Sequence, residues 1–177
     1  NRRASEMSAL TDIGREISST LDLEAVIDRI ALRAHEVLKA GTGAVYLLEP
    51  DQITLRPIAA VGDYSQEVLT SRSRLGEGII GSVAQTGVAE SITDTAQDPR
   101  TVHLAGTPQE NSGEKMMVAP LFARDQVIGA MAVWRDPGNS LFAADDLGFL
   151  VGLSRQAAIA IQNARLFEES QKRANET

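Results

Sequence analysis

The sequence predicts an α+β domain whose antiparallel sheet is covered on both faces. Three observations predict it. First, Lys115 to Trp134 (KMMVAPLFARDQVIGAMAVW) holds two apolar runs around the polar break Arg124-Asp125-Gln126, the pattern of a β-hairpin with a three-residue loop. Second, neither run alternates cleanly between apolar and polar. Met116, Val118 and Phe122 point one way against Met117, Ala119 and Leu121; in the second run Val127, Met131 and Val133 stand against Ile128, Ala130, Ala132 and Trp134. A hairpin apolar on both faces belongs at the centre of a sheet with something packed on each side. Third, the apolar period is helical towards both ends of the chain and strand-like between them.

Taken in order, residues 3 to 21 place Met7, Leu10, Ile13, Ile17 and Leu21 on one helical stripe. Ser18-Ser19-Thr20 offers a break with capping residues, and Asp22 and Glu24 complement the dipole of a second helix. That helix carries Leu23, Val26, Ile27, Ile30, Ala31, Ala34, Val37 and Leu38 on one broad face, and Lys39 and Gly41 are its stop signals. The period then changes. Gly43 to Leu48 and Ile53 to Val61 read as strands joined by the turn Glu49-Pro50-Asp51-Gln52, and Pro57 places the second at an edge or a bulge. Residues 64 to 71 suit a short helix.

Gly76, Gly78 and Gly81 spell G-x-G-x-x-G, but no hydrophobic strand precedes them and no βαβ unit surrounds them. They read instead as glycines that let the chain turn tightly into a short helix at 79 to 85. Val88 to Ile92 makes a brief strand. Residues 93 to 114 form a long polar connection with at most one helical turn around Thr101 to Ala105, a length typical of lids and binding loops. After the hairpin and the turn Asp136-Pro137-Gly138-Asn139, one helix runs from Ala143 to about Ala174. Its seam, Leu150, Leu153, Ala157, Ala160, Ala164 and Phe167, has heptad spacing, so the helix is expected to leave the domain as a dimerising coiled coil. Its second face, Leu147, Val151, Ala158 and Ile161, suits burial against the sheet.

Composition narrows the function. At 177 residues and 43% hydrophobic content the chain can bury a core without staples. Zero cysteines exclude disulfides, thiolate metal sites, thiol nucleophiles and a thioether-bound cofactor. His35 and His103 lack ligand spacing, so no metal centre is expected. A formal charge of -7 without a basic run argues against nucleic acid. There is neither an apolar run of membrane-spanning length nor a signal-peptide pattern, so a soluble, cytoplasmic chain without membrane insertion is expected. Asp145 and Asp146 are adjacent and do not face one another on a helix, and no histidine neighbours a serine nucleophile. The chain is read as non-catalytic.

In this order the segments STLDLEAVIDRIALRAHEVL (19 to 38), LGEGIIGSVAQTGVAESITDTAQDPR (75 to 100), MMVAPLFARDQVIGAMAVWR (116 to 135) and FAADDLGFLVGLSRQAAIAIQNARLFEE (142 to 169) resemble the GAF domain family of small-molecule sensors. The resemblance implies a profilin-like, six-stranded antiparallel sheet with the terminal helices on one face and short helices and loops over a ligand pocket on the other. It also implies a parent signalling protein, such as a histidine kinase of a two-component system, with flanking domains and a homodimer joined through terminal helices. The expected organisation is a connecting helix at 1–21, the sensor domain at 22–162 and a coiled-coil connecting helix at 163–177. Family members that hold a bilin covalently, or that reduce free methionine sulfoxide, use cysteines; none is present, so the expected ligand is a non-covalent small molecule. Cyclic-nucleotide-binding members often carry Asn-Lys…Phe-x-x-x-Asp-Glu. Here Phe142 precedes Ala143-Ala144-Asp145-Asp146, Leu147 replaces the final Glu and no Asn-Lys pair is present. The alternative reading of Phe142 and Asp145 is a helix start, with an aromatic staple and an acid in the first turn.

Candidate ligand contacts come from the polar strand and loop bordering the expected pocket: Ser91, Asp94, Arg100, His103 and Thr107. Arg100 could pair with an anion and His103 could titrate near neutrality. The plainer alternative is that Arg100 and its acidic neighbours pin the loop. Two functions of different class follow: a ligand sensor, or a ligand-free dimerising relay between signalling domains.

Overall fold

The computed structural model describes residues 19–107 and 113–176. The helix expected over residues 3 to 21 therefore lies largely outside the described residues. Ser19 and Thr20 are already helical rather than a break, because α1 runs Ser19–Val37. It buries Ile27, Ile30, Ala31 and Ala34, with Leu38 just beyond its end. Val26 and Val37, expected on that face, are 38% and 53% exposed, so the buried stripe is narrower than the sequence suggests. The helix stops where Lys39 takes a positive φ of 50°, with the amides of Lys39 and Ala40 donating to Glu36 O and His35 O. This is a left-handed helix stop in which lysine stands where glycine is usual.

Six strands follow the order β3-β2-β1-β6-β5-β4, all neighbours antiparallel: β1 (Thr42–Leu48), β2 (Thr54–Gly62), β3 (Ser73–Arg74), β4 (Glu90–Ile92), β5 (Lys115–Ala123) and β6 (Gln126–Arg135). Pro57 is at a bulge and on a near-edge strand at once. Val45 faces Ala59 but Tyr46 faces Pro57, leaving Ile58 extra, and β3 covers β2 only at Thr54 and Leu55. A proline amide costs least in such a place.

The hairpin is central and buried on both faces, with two differences from the expected detail. Its loop has two residues, Arg124 and Asp125, with φ of 51° and 68°, the left-handed pair of a type I′ turn. A bulge also intervenes: Leu121 faces Gly129 and Phe122 faces Val127, so Ile128 is the extra residue. One inserted residue reverses the side-chain parity beyond it. Val127 accordingly packs with Ala130, Ala132 and Trp134, while Ile128 packs with Met131 and Val133. Phe122, expected to be buried, is 45% exposed at this end.

One face of the sheet meets α1 and the long α4 (Ala144–Glu176); there Val45, Met117, Leu121, Met131 and Val133 pack against Ile27, Ala31, Leu150, Leu153, Ala157 and Ile161. The other face, with Ala44, Tyr46, Met116, Val118 and Ala132, is covered by α2 (Ser65–Leu69) and α3 (Gly78–Thr86). The two covers expected from sequence are present. Among the described residues of the connection after β4 the helical turn is at Thr95–Gln97, not at 101 to 105.

Arg135 ties the helix layer together. Its Nε and Nη2 donate to Leu38 O at 3.1 and 2.6 Å, and Nη1 donates to Ser140 O and Leu141 O at 3.2 and 3.0 Å. Its guanidinium lies 4.2 Å over the Phe142 ring and 3.8 Å from Asp146. The Asp146 carboxylate accepts from the Ala143 amide at 2.6 Å, closing the start of α4.

Candidate functional site

On the face opposite α1 and α4 lies a cavity of about 490 Å³. Its floor is a row across three strands. Thr42 pairs with Trp134 and Trp134 with Met116, so all three side chains share a face, and Tyr46, four residues along β1, joins them. Glu67 and Val68 of α2, the segment Thr70 to Arg74, and the first turn of α3 form the walls. Loop residues 95 to 107 close the remaining side.

Backbone chemistry sets these walls. Gly76 and Gly78 take φ of 83° and 68°, and a Cβ on Gly81 would collide with the Arg74 carbonyl. The G-x-G-x-x-G string therefore serves a turn and a close backbone approach, as read from the sequence. In the loop, Asp94 accepts the amides of Ala96 and Gly113, both at 3.0 Å, so its carboxylate closes the 95–97 turn. The Thr95 hydroxyl donates to Glu114 Oε1 at 2.9 Å, and Thr101 donates to Thr95 O at 2.6 Å.

Of the five candidates, His103 and Thr107 line the cavity; Ser91, Asp94 and Arg100 do not. Ser91 is on the exposed side of the outermost strand. Arg100 forks onto two carboxylates, with Nε and Nη2 on Asp98 at 3.0 and 2.8 Å and Nη1 and Nη2 on Glu90 at 2.9 Å. The hydrogen bond from Arg100 holds the Asp98 carboxyl below its ordinary range, and Asp98, then Glu90, hold the guanidinium more firmly protonated. This side chain pins the loop to β4, the plainer of its two readings. The Thr107 hydroxyl donates to Leu104 O at 2.6 Å.

Sequence reasoning missed Tyr46, Trp134 and Glu67 as lining residues. Tyr46 and Trp134 were recoverable once the strands were given faces; nothing in the five-residue helix α2 marks Glu67. Burial pushes the Tyr46 phenol up, only partly opposed by its hydrogen bond with Ser71. Asp145 and Asp146 both stand in the first turn of α4, but the carboxylate that caps it is that of Asp146 rather than Asp145, and Phe142 lies under the Arg135 guanidinium. Among the described residues no cluster of three or more His, Cys, Asp or Glu side chains is placed to hold a metal ion.

The heptad seam divides. Leu150, Leu153 and Ala157 are buried in the domain's own core, between α4 and the sheet, and are closed to a second copy. Ala160, Ala164 and Phe167 are half-buried. The periodicity was sound, but intramolecular packing uses the same spacing as a coiled coil. The surface of α4 left open carries Gly148, Gly152, Ile159 and Leu166, the last two 61% and 43% exposed.

A six-stranded antiparallel sheet with helices on one face and a cavity on the other agrees with the family model described as GAF domain, which matches residues 20–162. The chain belongs to the GAF domain family. Among curated relatives it is 27% identical to the Nif-specific regulatory protein of Herbaspirillum seropedicae, over 94% of this chain and 33% of that protein. The chain thus spans about a third of that relative's length. Among solved structures it is similar to the GAF domain of an Acinetobacter phosphoenolpyruvate-protein phosphotransferase, at 22% identity and TM-score 0.71, covering 92% of this chain and 95% of that one. It is also similar to the free methionine-R-sulfoxide reductase of Neisseria meningitidis, solved in complex with its substrate, at 16% identity and TM-score 0.69, covering 89% and 86%. These likenesses establish the fold. The Nif-specific regulatory relative connects this GAF domain with regulatory proteins. Among the described residues no helix is long and apolar enough to cross a membrane.

Proposed function

We propose that this GAF domain is a non-catalytic sensory module of a larger regulatory protein, binding a small molecule in the 490 Å³ cavity. The carrying observation is that cavity. Its size is within the usual range for ligand sites, and its lining combines apolar residues such as Met116, Ile79 and Val68 with hydroxyl and charged side chains. The family's sulfoxide reductases use cysteines, and this chain has none, which supports a binding role rather than that chemistry. Signals would pass to flanking domains through α1 and α4 in a homodimer. Supporting this, a Cβ built on Gly148 or Gly152 meets no atom within 4 Å, and Ile159 and Leu166 continue that exposed face at heptad steps. A histidine kinase is one output module such a sensor could serve; the Nif-specific regulatory relative supports a regulatory setting more generally.

Native mass spectrometry of freshly purified protein tests both parts together. The expected result is a dimer carrying a co-purified small molecule. A ligand-free dimer would favour the alternative, a relay module that binds nothing, and a ligand-free monomer would overturn both.

A further inference from the structure

We infer that the cavity is selective for an organic cation, an apolar or aromatic body bearing a protonated amine whose charge is held by Glu67. The inference rests on the cavity being a ligand site and specifies what it takes. The charged side chains lining the cavity divide by depth. Arg72, Arg74 and Glu77 are exposed at the rim and engaged there. Arg72 Nη1 donates to Ser71 O at 2.7 Å, and Arg74 is 3.7 Å from Glu77, with the two side chains 61% and 67% exposed. The half-buried charged groups are both carboxylates, Glu67 and Glu114. Glu114 accepts the Thr95 hydroxyl. Among the described residues no hydrogen bond or ion pair reaches the Glu67 carboxylate.

Any ligand that fills this space shields the carboxylate from solvent. A neutral or anionic ligand would leave a carboxylate desolvated without a partner, which is costly, whereas an ammonium group offsets the loss with a charge-assisted hydrogen bond. Trp134, Tyr46 and Tyr64 also line the cavity, and aromatic rings attract a cation rather than an anion. Glu77, the N-cap residue of α3, makes no side-chain hydrogen bond to the helix amides; its carboxylate stands near that N-terminus, 3.7 Å from Arg74.

The experiment uses three probes of nearly equal size: phenethylamine, 2-phenylethanol and phenylacetate. Trp134 is the chain's single tryptophan, so its emission reports the cavity directly. The amine is expected to shift that emission saturably, at least about tenfold more tightly than either other probe. Glu67→Gln should abolish the preference, Glu67→Asp should retain most of it, and Glu36→Gln, exposed on α1 and outside the cavity lining, should change it less than about twofold. Circular dichroism checks that each variant is folded. Tighter binding of phenylacetate or the alcohol, or an unchanged preference in folded Glu67→Gln, overturns the cation assignment while leaving the cavity a ligand site. No response to any probe overturns both.

Discussion

Arg135→Ala should be the most damaging single truncation on the helix side of the sheet. The residue is 8% exposed, and its side chain donates to carbonyls in two segments: Leu38 O at the end of α1, and Ser140 O and Leu141 O before α4. Leu38 O is the critical acceptor, because it takes two of these bonds in a buried position at a helix C-terminus, where a cation also complements the dipole. Hydrogen bonds to a charged group contribute about 1.5–3 kcal/mol each, and a carbonyl left dry costs about 1–3 kcal/mol. The Ser140 and Leu141 carbonyls are less enclosed and can rehydrate, so the contributions do not sum. A net loss of about 3–5 kcal/mol is expected, comparable to breaking a buried ion pair. With a urea dependence of about 2 kcal/mol per molar, the unfolding midpoint should fall by about 1.5–2.5 M. Arg135→Lys keeps the charge but lacks the planar fork, and should recover less than half of the loss. A loss below about 1 kcal/mol, or full recovery with lysine, would show that the fork does not hold the helix layer.

The Arg124-Asp125 turn holds two non-glycine residues at positive φ, so Asn-Gly there should raise stability by about 1 kcal/mol in thermal unfolding; a lower melting temperature would contradict the type I′ assignment. Burial, then the charge and hydrogen bond of Asp63, pushes the Asp136 carboxyl above the ordinary carboxylate range. A carboxyl raised on folding contributes stability that is fully present below its unfolded value and is lost as pH rises through its folded one. Asp136→Asn should therefore be more stable than the parent at pH 7, with the gap closing towards pH 4; a gap independent of pH would refute the linkage. Leu153 is 2% exposed in the domain's own core, so Leu153→Asp should cost more than about 4 kcal/mol and leave a poorly folded chain by circular dichroism, where a well-folded monomer would place this residue at an interface instead.

Local rules carried the reading far for the sheet. The two-sided apolar hairpin, the bulged edge at Pro57 and the glycine-led turn into α3 each follow from steric or hydrogen-bonding demands within a few residues, and each is present. What escaped depended on contacts distant in sequence. The bulge at Ile128 is set by pairing across β5 and β6, and its single extra residue exchanges the faces of Val127 and Ile128. Leu150, Leu153 and Ala157 have a spacing that serves a neighbouring sheet as well as a neighbouring helix, and only packing decides between them. For the site, loop polarity led to His103 and Thr107 but also to Arg100 and Asp94, whose hydrogen bonds are spent within the loop. Glu67 reaches the cavity because α2 folds over the sheet, a placement that a five-residue helix does not announce.

Trp134 and Arg135 are consecutive residues of β6, yet one lines the cavity floor and the other grips the helix layer. Strand alternation makes this unavoidable: the two side chains leave opposite faces from α-carbons about 3.8 Å apart. Cavity and helices thus meet at one peptide unit. Were a ligand to press on Trp134, the residue joined to it by that peptide is the one that holds the end of α1 and the beginning of α4.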